Sequence, residues 1–337
     1  MAEIIKVTAV GQTLMRNTMS KSCPEHLEKL KDILSENDFV VSNFEPALDM
    51  GDIGECTRTD GSPVHVAGSE VLDEMQYLSM NLVSMASNHK WDFGTEAIAA
   101  SIDVYDKYGF AYSGVGRNFE DSFKARFATL ENGLKGGIVA AATAKIREGA
   151  ASTDTRAGVA EIPFDGEKLD ISVKNKILTE IKNAADKCDF LVFVYHNHIW
   201  MEDLAVTPKW AVEFARECIE NGADMFLNHG APLLGGMEIY KEKAIFYNLG
   251  SFAFQPHKTW SNEKYRDTLL AVCEYKDRKV ASVELIPMKI SSEEAKFGFP
   301  DFADEKTALG ILNDLNILNQ RDFGVEIKIK EGRGGVF

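Results

Sequence analysis

Short unbroken apolar runs alternate along this chain with segments of helical spacing, and the runs end on polar residues or glycine. Runs at residues 4–10, 38–42, 82–86, 190–195, 224–227 and 243–248 predict strands of the kind that are covered on both faces. Apolar positions three and four apart predict helices over 26–34, 70–78, 95–108, 169–187, 208–221 and 305–320. Asn132-Gly133 predicts a hairpin joining 127–130 to 137–142, and Asp277-Arg278 sits at the turn between 269–275 and 280–287. Residues 325–330 alternate as an edge strand, while 49–65, 145–165 and 290–302 lack usable periodicity. Alternating strands and helices place the chain in the α/β class. No linker rich in Pro, Gly or Ser interrupts it, so one domain over 1–337 is expected, with 290–337 as a C-terminal helix-strand appendage.

Sites in α/β folds gather outside the carboxyl ends of strands. Here those ends carry Gln12, then Asn43-Phe44-Glu45, then Asn88-His89 with Asp92, then His196-Asn197-His198, then Asn228-His229-Gly230. Any one histidine of this set reads as a hydrogen-bonded structural residue, but three histidine clusters at strand ends point to a shared site. A carboxylate straight after a buried run is costly unless it is paired or binds a cation, so Glu45 is either a site residue or part of a solvated rim. Imidazole, carboxylate and amide oxygen together suit Zn, Mn, Fe, Co or Ni. The 49–65 loop carries Arg58 and His65. Surface placement fits both, and an arginine in a loop that covers a site can meet an anion.

Other chemistries find less support. A Gly-x-Ser-x-Gly elbow and a phosphate-binding Gly-x-x-x-x-Gly-Lys loop are both missing, and Gly114-Val115-Gly116 is too short for a dinucleotide fingerprint. The formal charge of −15 and pI near 5.0 argue against general affinity for nucleic acid or anionic membranes. Five widely spaced cysteines without a CxxC pattern are expected to be free thiols. The opening Met1-Ala2-Glu3-Ile4 has neither a basic stretch nor a signal-length apolar core, and no apolar run reaches about 18 residues, so a cytoplasmic protein is expected.

The ordered motifs Asn43-Phe44-Glu45, Ala86 to Gly94, Gly114 to Asn118, His196-Asn197-His198 and Gly222 to Gly230 resemble those of the CapA family, and the run from Gly236 to Gln255 resembles its signature. These are bacterial poly-γ-glutamate capsule synthesis proteins related to calcineurin-like metallophosphoesterases. The resemblance implies a four-layer αββα metallophosphatase-like sandwich of two mixed sheets flanked by helices. It matches Glu45, His89, His196 and His229 to the family's metal-site motifs, and of these Glu45, His196 and His229 are the expected ligands of a divalent metal (Mn, Zn, Fe or Co). His89 and His198 are then candidates for general acid or base, beside Asn88; Gln12, Arg58 and Arg117 are candidates for contacting substrate. Gly11-Gln12 departs from the family's Gly-Asp, and Ala231-Pro232 from its Pro-His, so one metal is expected rather than two. The expected function is hydrolysis of a phosphoester or of an amide or γ-glutamyl bond in a small anionic or peptide-like substrate. The alternative is a non-catalytic capsule-associated binding or assembly protein that has lost part of the metal site.

Overall fold

Strand Phe190–Asn197 divides the apolar interior in two, because successive side chains of a strand point to opposite faces. Phe190, Val192 and Val194 enter one apolar cluster, whereas Leu191, Phe193 and Tyr195 enter another. Its neighbours repeat the alternation, with Ile138, Ala140, Met225 and Leu227 on the first side and Val139, Ala141 and Phe226 on the second. The computed structural model describes residues 4–255 and 262–336, so the first three positions of the opening segment lie outside it.

Two mixed sheets result. The six-stranded sheet runs Met237–Tyr240, Lys243–Phe246, Met225–His229, Phe190–Asn197, Lys135–Thr143, Arg126–Thr129, with its four central strands parallel. In the nine-stranded sheet, Ile4–Ala9, Phe39–Asn43, Met80–Ser84 and Ala111–Ser113 lie parallel to one another. Antiparallel strands Asp267–Lys276, Lys279–Ile290, Arg333–Val336 and Lys328–Lys330 extend it outward from Ile4–Ala9.

The sheets pack face to face. Phe39 of one stacks on Phe190 of the other at 6.1 Å, and a Cβ at Gly136 would stand 2.6 Å from the Phe39 ring, so glycine is what lets the layers close there. Helices Ile171–Ala185 and Lys209–Glu220 cover the second cluster through Ile177, Ile181, Phe214 and Cys218. Helices Pro24–Leu34, Glu70–Tyr77 and Gly94–Tyr105 pack Leu30, Leu72 and Ile102 into the first. The fold is therefore a four-layer αββα sandwich of two mixed sheets flanked by helices.

Two expectations shift, and one strand pairing is new. Residues 290–302 are not wholly irregular, since Pro300–Phe302 adds a short strand to Lys279–Ile290. The edge strand is shorter than 325–330 and belongs to a hairpin, Lys328–Lys330 with Arg333–Val336, turned by Glu331 and Gly332 at positive φ. Gln12–Leu14 pairs in parallel with Ser251–Phe254, a contact too short and too distant in sequence to leave a periodic signal. No helix among the described residues is long and apolar enough to cross a membrane.

Candidate metal centre

Because both sets of parallel strands run the same way, their carboxyl ends bring together Gln12, Glu45, Asn88, His89, His196 and His229. The register of the six-stranded sheet sets His196 beside His229. Asn43, at the end of its strand, accepts the Thr13 N–H at 2.7 Å and so ties down the chain leaving the first strand. Ser87 Oγ donates to the Glu45 carbonyl at 2.7 Å, fixing the turn after Met80–Ser84 against the turn after Phe39–Asn43.

His196 and His229 are fully buried, and Glu45 is 2% exposed. His196 Nε2 lies 2.9 Å from His198 Nε2, 3.1 Å from Asn88 Oδ1 and 4.0 Å from Glu45 Oε1. One donor atom each from Glu45, His196 and His198 falls within 4.8 Å of the others, which makes this a group able to hold a metal ion. The sequence expects His229 as the third ligand and His198 as an acid or base; the structure groups His198 with Glu45 and His196, and sets His229 in register beside His196.

The residues fit a cation. Glu45 Oε2, His196 Nδ1, His198 Nδ1, both His229 ring nitrogens and Gln12 Oε1 are buried with no hydrogen-bond partner among the described residues. Each such orphan costs about 1–3 kcal/mol unless something satisfies it. Burial raises the Glu45 carboxyl to about 8, opposed by the nearby Lys90 charge and by a hydrogen bond from Gln12. Burial also pushes His198 and His229 down to about 3 and His196 well below its usual value, so these rings are neutral near pH 7 and free to donate lone pairs.

Behind this group stands a second set of contacts. His89 Nδ1 lies 2.9 Å from Asp92 Oδ2, whose carboxylate is completely buried. Arg58 pairs with the other oxygen of Asp92 and donates to the Asn88 carbonyl at 2.8 Å. The His65 backbone N–H also reaches Asp92, and the His65 ring meets His89 edge to face at 4.3 Å. Surface placement of Arg58 and His65 is thus overturned: a buried carboxylate needs a counter-charge, and Asp92 draws the 49–65 loop inward. From the loop that follows strand Lys135–Thr143 of the other sheet, Arg147 clasps the 49–65 loop through both Asp60 oxygens at 2.9 Å, Ser62 Oγ at 2.7 Å and the Thr57 carbonyl at 3.0 Å.

Arg117 is not brought to this cluster. Its guanidinium, 47% exposed, pairs with Asp103 at 2.5 Å and Asp106 at 3.8 Å. Lys90 is a residue that sequence reasoning passed over. Its ammonium is buried, donates to the Pro46 carbonyl at 2.6 Å and stands 3.9 Å above the Phe44 ring, and burial pushes its pKa well below the usual lysine value. A lysine directly after Asn88-His89 at the end of a buried strand was the available signal.

The chain is 21% identical to uncharacterized protein y4sH of Sinorhizobium fredii over 97% of its own length and 92% of the relative's. It is 23% identical to capsule biosynthesis protein CapA of Bacillus anthracis over 87% of its length and 69% of the relative's. The PGA biosynthesis protein CapA of Bacillus subtilis is 23% identical over 86% and 72%. Among solved structures, the sulfate thiohydrolase SoxB of Thermus thermophilus aligns with 88% of this chain and 46% of its own at 10% identity and a TM-score of 0.41. Purple acid phosphatase PPD1 from yellow lupin aligns with 92% and 55% at 9% identity and a TM-score of 0.36. The family model described as bacterial capsule synthesis protein PGA_cap matches residues 6–256, and with three quarters of its length inside that match the chain belongs to this family.

Proposed function

We propose that this protein is a metal-dependent hydrolase of a small anionic or peptide-like substrate, cleaving a phosphoester or an amide or γ-glutamyl bond. The observation that carries the reading is the buried convergence of Glu45, His196 and His198 on one point, with His89 oriented by Asp92 beside it. Glu45, His196 and His198 would hold one divalent ion, Mn, Zn, Fe or Co, with His229 and Asn88 as further donors. Such an ion supplies Lewis acidity and lowers the pKa of water. Asp92 accepts from His89 Nδ1 and thereby fixes which ring nitrogen, Nε2, faces the reacting groups to hold or deliver a proton. Arg58 balances the Asp92 charge, so its part is to position Asp92 and Asn88. Gln12 stands close to Glu45 and favours its charged form. The family's capsule synthesis description and the PGA biosynthesis name of a relative support the γ-glutamyl arm. The five free cysteines support action in the cytoplasm.

The test is turnover by the purified chain, loaded with each of Mn, Zn, Fe and Co, on parallel panels of phosphoesters and γ-glutamyl amides. Activity lost in His196→Ala with the fold kept supports the reading, and equal rates in that variant reject it.

A second reading, a non-catalytic capsule-associated binding or assembly protein, is favoured by Gln12. A neutral amide stands close to Glu45 where the chain leaves the first strand, at a position where a carboxylate would serve a second ion. Metal binding without turnover on either panel would select it.

A further inference from the structure

Recognising an anion takes a cation that is not already neutralised. Of the arginines expected to meet substrate, Arg58 is spent on Asp92 and Arg117 on Asp103 and Asp106; Arg147 is bound to Asp60. Lys145 is different. It leaves strand Lys135–Thr143 through a turn in which Ala144 and Lys145 are both left-handed, at φ 63° and 54°, a conformation that residues other than glycine hold only when their surroundings impose it. The turn is anchored at Thr143, whose carbonyl accepts the His198 N–H at 3.1 Å, and at Arg147, which is clasped to the 49–65 loop. The Lys145 Nζ sits 4.2 Å from the centroid of the Trp200 ring, which lies 5.1 Å from the His198 ring and is itself held by its indole N–H donating to the Asn197 carbonyl at 3.3 Å. Lys145 is solvent-exposed, and among the described residues no carboxylate comes within ion-pair distance of it. A chain with 52 acidic and 37 basic residues thus leaves an uncompensated ammonium on an aromatic platform at the edge of its buried histidine cluster.

The geometry points to Lys145 as the residue that binds an anionic group of the substrate, a phosphate or a carboxylate, with Trp200 as the flat wall that holds the ammonium in place. As a substrate contact this rests on the hydrolase reading; as an anion site it is testable without turnover. Two of the three ammonium protons can point at oxygen while the cation keeps its place over the ring.

The test measures binding of inorganic phosphate and of γ-glutamylglutamate by calorimetry at low salt to wild type, Lys145→Met and Lys145→Arg, with metal content determined for each. Wild type is expected to bind at least one probe, Lys145→Met to bind it about 10- to 100-fold more weakly, and Lys145→Arg to stay within a few fold. Metal content is expected to be unchanged. Binding of phosphate alone selects the phosphoester source of the anion, and binding of the dipeptide alone selects the γ-glutamyl source. Equal affinity in Lys145→Met, no binding of either probe to wild type, or loss of metal in Lys145→Met overturns the inference. Binding that depends on Lys145 without turnover on any panel would sustain it while rejecting the hydrolase reading.

Discussion

Nε2 of His196 faces Nε2 of His198 at 2.9 Å, and Asn88 Oδ1 approaches the same His196 nitrogen at 3.1 Å. A neutral imidazole has one N–H, so at most one of its two nitrogens can donate, and several lone pairs are left converging in a buried space. A cation relieves that convergence, and the roles of the surrounding histidines separate accordingly.

His198→Ala is expected to lower metal affinity by at least about 10-fold, whereas His89→Ala is expected to keep the metal and slow turnover by about 100- to 10,000-fold. Metal content and kcat measured on the same preparations check this. Both variants losing metal alike would mean that His89 is a ligand.

Asp92→Asn removes a buried charge that Arg58 and His89 both face. The Arg58 side chain is only 8% exposed, so its guanidinium would be left buried and unpaired. Unfolding free energy is expected to fall by about 3–5 kcal/mol, and adding Arg58→Met is expected to restore part of it. Denaturant titration of the single and double variants decides; a loss under about 1 kcal/mol would mean that water reaches the pair.

Proton linkage gives a further prediction. In the metal-free protein the folded-state carboxyl of Glu45 is raised from 4.5 to about 8, so its contribution is intact below pH 4.5 and is lost as pH climbs towards 8. The folded-state pKa values of His198 and His229 are depressed from 6.5 to about 3, so their contribution is present above pH 6.5 and is lost as pH falls towards 3. Stability with chelator present is therefore expected to peak near pH 6.5. Metal binding must expel the Glu45 proton below pH 8, so apparent affinity is expected to rise about tenfold per pH unit there and to level off above it. Glu45→Gln should flatten that rise, and a slope unchanged in the variant would assign the proton to another group.

Much of this was legible in the chain because burial and chemistry changed over at the same points. Runs such as Phe190 to Tyr195 show their strand character by unbroken apolarity, and His196 follows within the same strand, so the ends of the strands and the candidate ligands were read together. Arg58 and His65 were misplaced because nothing local distinguishes an arginine on a surface loop from one drawn in by a carboxylate 34 positions later. Lys90 escaped for a related reason: a lysine normally signals solvent, and only the tertiary fold shows the Phe44 ring beneath it. The pairing of Gln12–Leu14 with Ser251–Phe254 is invisible to periodicity, since three or four residues show no period.

That pairing sets up another expectation. A Cβ at Gly11 would come within 2.6 Å of the Gly250 carbonyl oxygen and 2.8 Å of the Phe252 nitrogen, both rigid backbone. Gly11→Ala is expected to push the two segments apart, shift Gln12 from Glu45, and cost about 1–3 kcal/mol of stability. Thermal unfolding together with metal affinity tests it, and a variant as stable as wild type would show that the segments yield freely.

Glu45, His196 and His198, with His229 beside them, are proposed to hold a metal ion. The decisive measurement is elemental analysis of the purified chain and of the His196→Ala/His229→Ala double variant, each incubated with Mn, Zn, Fe and Co and then desalted. About one equivalent in wild type and none in the variant is the predicted result. Absence of metal from wild type under every condition, or equal metal in both proteins, would contradict it.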